Sequence, residues 1–182
     1  SSILKKNNSK SNILVSLGGT DHNDIMFKTL KLLIKSNYVD KVVVISSNSS
    51  GYSKKLENLS IENKGTEIEL HFDVESLSPY WQTCGLAITA GGNTLFERIA
   101  SGIPGATICQ LERQMEIADS FENLQVNVNL GFGPTLSEKE LSVSIEKFLK
   151  NDISHLIQSQ YSSKIVPGNG LELCANELNK LM

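Results

Sequence analysis

The sequence predicts an α/β domain: a parallel sheet with helices on both faces. Three observations carry this. Short apolar runs alternate with segments of helical periodicity along nearly the whole chain. The first and fourth apolar runs each end in a Gly-Gly pair. At 182 residues, with no solenoid-type repeat, the chain suits one domain with a sizeable core.

The elements follow in order. Residues 1–11 are a polar lead-in containing Lys5, Lys6 and Lys10, and residues 12–182 form the domain. Residues 13–17 read as a buried strand. In 23–35, Ile25, Met26, Leu30, Leu33 and Ile34 recur at helical spacing. Residues 42–45 are the second strand, ended by a turn-rich stretch to Gly51, and 52–59 a helix. Residues 68–72 are the third strand. A short helix at 76–83 has Pro79 near its start. Residues 86–89 are the fourth strand, and 94–101 a helix stopped by Gly102 and Pro104. Residues 106–109 are the fifth strand, 115–123 a helix and 126–130 a last short strand. Ser137 and Glu140 form a capping box opening a helix to Leu149, with Leu136 and Leu141 as a staple. Residues 167–170 break the chain before a final helix at 171–181. With a Rossmann-like strand order, strands one and four lie side by side at the switch point, where ligands bind outside the carboxyl ends.

Composition excludes several classes. The formal net charge is −3 with no basic patch, which argues against nucleic acid as a partner. No run of about twenty apolar residues exists, so no membrane span is expected. The three cysteines, Cys84, Cys109 and Cys174, are widely spaced. They suggest neither a metal site nor a disulfide framework, and a reducing cytoplasm is the expected setting. There is no signal-peptide pattern, and the chain opens Ser1-Ser2 without Met, which suggests an excised fragment or a trimmed tag.

The chemistry concentrates in two strand–turn–helix junctions. Gly18-Gly19-Thr20-Asp21 allows a tight turn and close approach of backbone to phosphate. It is neither a Walker A loop nor a GxGxxG fingerprint. Ala90-Gly91-Gly92-Asn93-Thr94 opens a helix whose backbone N–H groups can face an anion. Thr94 and Glu97 also fit a capping box, which would make Glu97 a helix cap. The alternative is a carboxylate that accepts bonds from ribose hydroxyls. Two such turns in one domain suggest a diphosphate or nucleotide sugar.

These residues, with 100–104 (Ala-Ser-Gly-Ile-Pro), Glu112-Arg113-Gln114 and Gly168-Asn169-Gly170, resemble the C-terminal half of GT-B-fold enzymes that handle UDP-sugars. The likeness is to the UDP-sugar hydrolase of the pseudaminic acid pathway and spore-coat polysaccharide proteins, and more distantly to the murein N-acetylglucosaminyltransferase. It spans about residues 13–178. The resemblance implies that Gly18, Gly19, Thr20 and Asp21 approach the diphosphate or sugar. It gives the diphosphate to Ala90, Gly91, Gly92, Asn93 and Thr94, the ribose to Glu97, the uracil to the backbone just after the third strand, at His71 and Phe72, and the sugar to Gln114. Where the family often has Ala-Asp before its fourth strand, this chain has Cys84-Gly85. Family hydrolases also carry a Gly-x-Gly-His segment in an N-terminal domain, and no Gly-His pair occurs here. The expectation is one half of a GT-B architecture, inactive alone, with UDP or a UDP-sugar and the N-terminal domain as partners. No cofactor and no metal are expected.

Other candidates have plainer readings. His22 follows the first turn and could act as acid or base, but a first-turn histidine is more often solvated. Asp21 and Asp24 flank it without making a metal set. Cys109 lacks an adjacent histidine and reads as a buried thiol. His155, in a polar helix, reads as a surface residue. Tyr80 and Trp81 read as core or domain-contact packing. The functional alternatives are a glycosyltransferase donor domain and a non-catalytic module fused to another sugar-pathway enzyme. A free-standing Rossmann enzyme is disfavoured by the missing GxGxxG and the missing acid about twenty residues later.

Overall fold

The computed structural model describes residues 11–18, 24–48 and 52–180. Six strands form one parallel sheet: β1 (Ser11–Ser16), β2 (Val39–Ser46), β3 (Glu67–Phe72), β4 (Leu86–Thr89), β5 (Gly105–Cys109) and β6 (Val128–Phe132). The helices are α1 (Ile25–Ile34), α2 (Tyr52–Glu62), α3 (Ser78–Trp81), α4 (Asn93–Ala100), α5 (Arg113–Asn123), α6 (Glu138–Leu149), α7 (Asp152–Ile165) and α8 (Gly170–Lys180). The strand order is β3-β2-β1-β4-β5-β6, the Rossmann-like order in which β1 and β4 flank the switch point.

Alternation along the strands explains the layers. Ile13, Val15, Val42, Val44, Ile88 and Ile108 bury one face against Ile25, Leu30 and Leu33 of α1 and Leu141, Ile145 and Phe148 of α6. On the other face Leu14, Val43, Ile45 and Ala87 pack on Trp81 and Cys84. Leu95 and Ile99 of α4 form a smaller cluster with Val126. The capping box at Ser137 and Glu140 is present, and its hydrogen bonds hold the Glu140 carboxyl below its ordinary range. No described helix is long and apolar enough to cross a membrane.

Three sequence expectations need correction. The last strand starts at Val128 rather than Val126. Gln125 turns through φ +59, and Val126 and Asn127 are consumed by side-chain burial beneath α4. The strand also runs on through Gly131 at φ +111, where the β5–β6 register shifts. α7 buries Gln158 and Ser162 rather than an apolar stripe. His155 in that helix is half-buried rather than a solvated surface residue. Its ring packs edge-on against Phe148 at 4.9 Å, its Nε2 is buried without a partner, and burial lowers its pKa. Finally, α4 begins at Asn93 with Gly92 as its cap, so Thr94 lies inside the helix and makes no capping box with Glu97.

Candidate functional site

The switch point is built by one backbone bond. Ala90 N–H donates to the Ser16 carbonyl at 3.0 Å, while Ser16 and Thr89 are register partners. This fixes the chain leaving β4 to the chain leaving β1. The segments that carry Gly18 and Gly92 therefore both leave the carboxyl edge of the sheet, from neighbouring strands. Gly18 sits at φ +94, where L side chains are strained, and among the described residues nothing lies within 4 Å of a Cβ placed there. Gly19, Thr20, Asp21 and His22 lie outside the described residues.

Gly91 is a glycine for a packing reason. A Cβ there would lie 2.8 Å from Gln114 Cβ and 3.3 Å from Cys109 Sγ. Gly92 has no such neighbour, since its nearest atom would be Gln114 Nε2 at 3.6 Å. Gly92 caps α4 without a side-chain hydrogen bond; Leu95 N–H donates to the Gly92 carbonyl at 3.0 Å, and no side chain among the described residues caps the Asn93 and Thr94 N–H groups. Asn93 is exposed and Thr94 half-buried in that turn. Glu97 is exposed one turn further on, its carboxylate released from the capping role by the start at Asn93.

The loop after β5 closes the crevice. Gln114 Oε1 accepts from Gln110 N–H at 2.8 Å and Leu111 N–H at 3.3 Å, which leaves its amide nitrogen beside Gly92. Gln110 Nε2 donates to the Leu17 carbonyl at 2.9 Å and straps this loop onto the first glycine turn. Gln110 was not singled out by sequence, because a lone glutamine carries no pattern. Beneath the second turn Cys109 is fully buried, and burial with nearby Asp119 pushes its thiol up to about 11. It is a packing thiol, not a nucleophile.

On the far side of β1 a cleft of about 240 Å³ opens at the ends of β1, β2 and β3, lined by Ser16, Gly18, Ser46, Asp73, Val74 and Leu77 among others. Asp73 turns the chain at φ +50, donates its N–H to Ser46 O and accepts from Asn48 N–H, both at 3.0 Å. His71 does not face this cleft. Its Nε2 is 2.5 Å from Glu69 Oε1, and its ring stacks 4.7 Å from Tyr80. Phe72 packs at the margin of the main core. The cleft wall after β3 is thus made by Asp73 and Val74, one and two residues beyond the pair expected from sequence.

The fold defines the class. The chain superposes on MurG of Acinetobacter baumannii with a TM-score of 0.77 at 12% identity, covering 97% of this chain and 54% of that one. It superposes on the spinosyn rhamnosyltransferase SpnG complexed with thymidine diphosphate with a TM-score of 0.65 at 16% identity, covering 91% and 43%. The domain is Rossmann-like and matches one domain of GT-B glycosyltransferases.

By sequence it is related to the spore coat polysaccharide biosynthesis protein SpsG of Bacillus subtilis (strain 168), 25% identical over 161 residues, covering 88% of this chain and 47% of that protein. An uncharacterized protein of Methanocaldococcus jannaschii, MJ1062, is 28% identical over 117 residues, covering 64% and 24%. The chain spans less than half the length of these curated relatives. No protein-family model matches it.

Proposed function

We propose that this domain grips the diphosphate of UDP or a UDP-sugar at the β1–β4 switch point. The observation that carries the reading is that β1 and β4, each followed in sequence by a glycine pair, are neighbouring strands joined at their ends by the Ala90–Ser16 bond, with α4 opening at Gly92 just after β4. Backbone donors of Gly91, Gly92, Asn93 and Thr94 offset the diphosphate charge, and Gly18 with Gly19, Thr20 and Asp21 approaches from β1. The exposed Glu97 carboxylate accepts from the ribose hydroxyls. The base lies against the chain just after β3, in the cleft walled by Asp73 and Val74. The free amide of Gln114 faces the sugar.

In a hydrolase acting in nonulosonic acid or surface polysaccharide biosynthesis, this grip stabilises UDP as leaving group. The water-activating group comes from another domain, and this chain alone turns over negligibly. The likeness to SpsG supports the polysaccharide context. A second reading, the donor domain of a glycosyltransferase, is favoured at least equally by MurG and by SpnG with its thymidine diphosphate. An acceptor-dependent assay on the full-length protein separates the two. For the shared claim, calorimetry should give micromolar-to-millimolar UDP binding, weakened in Glu97→Ala. Equal affinity in both proteins would remove Glu97 from the site.

A further inference from the structure

The helix that opens at Gly92 ends on a buried cation. Arg98 is fully buried in α4. Its guanidinium donates to Asn127 Oδ1 at 2.8 Å, Ile103 O at 3.0 Å, Gln158 Oε1 at 3.4 Å and Val126 O at 3.5 Å. Its Nε has no partner, and no carboxylate among the described residues pairs with it. The acceptors are themselves fixed. Gln158 Oε1 also takes Gly105 N–H at 2.8 Å, and Asn127 Oδ1 takes the Thr107 hydroxyl at 2.8 Å. One side chain therefore ties α4 to the starts of β5 and β6 and to α7.

For stability alone this is a poor arrangement. Burying an unneutralised charge is costly, and an apolar side chain of similar volume often serves a core as well or better. What the guanidinium supplies is direction: a planar fork met by acceptors from three other elements fixes both the axial position and the rotation of α4. Gly105 has no side chain because one would overlap the Ala87 carbonyl and approach Arg98 Cδ to 2.6 Å, so the strand start is also shaped around this group.

We propose that Arg98 is the positioning residue of the candidate anion site: it sets the pose of α4 and thereby aims the N–H groups of Gly91–Thr94 at the ligand. This rests on the diphosphate reading above, and its test is arranged to separate the two. Amide ¹H–¹⁵N shifts of Gly91, Gly92, Asn93 and Thr94 are compared between the wild-type chain and Arg98→Met without ligand. Gly92 lies about 9 Å from Arg98 along the helix axis, so shifts there report a re-aimed helix rather than proximity. The expected result is displaced turn amides in a folded protein and UDP affinity lowered by about ten-fold or more. Arg98→Lys, which keeps the charge but not the fork, should lie between. If Arg98→Met fails to fold, the same readouts on Arg98→Lys decide. Reduced thermal stability with unmoved turn amides would overturn the proposal, leaving Arg98 a core residue only. If the wild type binds no UDP, the diphosphate reading falls while the ligand-free shifts still judge the positioning role.

Discussion

Adding one methyl group at Gly92 should separate binding from folding. Gly92 has φ −95, and its added Cβ would meet nothing nearer than Gln114 Nε2 at 3.6 Å. Neither left-handed strain nor a clash opposes Gly92→Ala. The structural cost is the poorer N-cap, under about 1 kcal/mol. In a domain of this size that lowers Tm by no more than roughly 2–4 °C. On the proposed diphosphate reading, the methyl takes space that a phosphate oxygen would need to reach the first-turn donors. Loss of one hydrogen bond to a charged group is worth about 1.5–3 kcal/mol, or roughly ten- to a hundred-fold in Kd. Gly91→Ala is the contrast. Its Cβ would press on Gln114 Cβ at 2.8 Å and Cys109 Sγ at 3.3 Å, an overpacking costing about 1–3 kcal/mol. That variant should lose both stability and affinity. Thermal melts and UDP calorimetry on the two variants make the test. A Gly92→Ala protein that melts normally and binds UDP like wild type would refute the claim that a ligand approaches this backbone.

Two further outcomes follow from buried groups. Gly105→Ala should destabilise toward the upper end of about 1–3 kcal/mol, because the new methyl meets the Ala87 carbonyl as well as Arg98 Cδ; an unchanged melting temperature would mean that the β5 start is looser than described. His155 has its pKa lowered by burial, so the unfolded chain binds the proton more readily. The stability it contributes is fully present above its unfolded pKa of about 6.5 and is lost as pH falls below it. Melts between pH 7 and 5 should therefore fall more steeply for wild type than for His155→Gln, and parallel curves would contradict the buried ring.

Much of this architecture was readable from residue pattern. Apolar runs fixed the first five strands to within a few residues, and two glycine pairs at the ends of β1 and β4 located the switch point. What was hidden shares one cause: side chains acting across long sequence separations. Val126 and Asn127 look like strand residues, yet they serve α4 through the Leu95 cluster and Arg98. The polar inward face of α7 gives no apolar period because Gln158 is there to meet Arg98 and Gly105. Glu97 fits a capping box on paper, but an uncapped glycine starts the helix a residue earlier and frees it. Gln110 reaches Leu17 across 93 positions, which no local motif announces. The resemblance places the base against the backbone just after β3, at His71–Phe72, and there the left-handed turn at Asp73 helps wall the cleft at the strand ends.

The central claim is that main-chain donors at the β1–β4 switch point receive a diphosphate. Titrating the ¹⁵N-labelled chain with UDP and following its amide shifts tests this most directly. The account predicts that the largest displacements fall on Gly18, Gly91, Gly92, Asn93 and Thr94, with smaller ones at Asp73 and Val74. Displacements confined to the opposite end of the sheet, around Asn12 and Lys41, or none at saturating UDP, would contradict it.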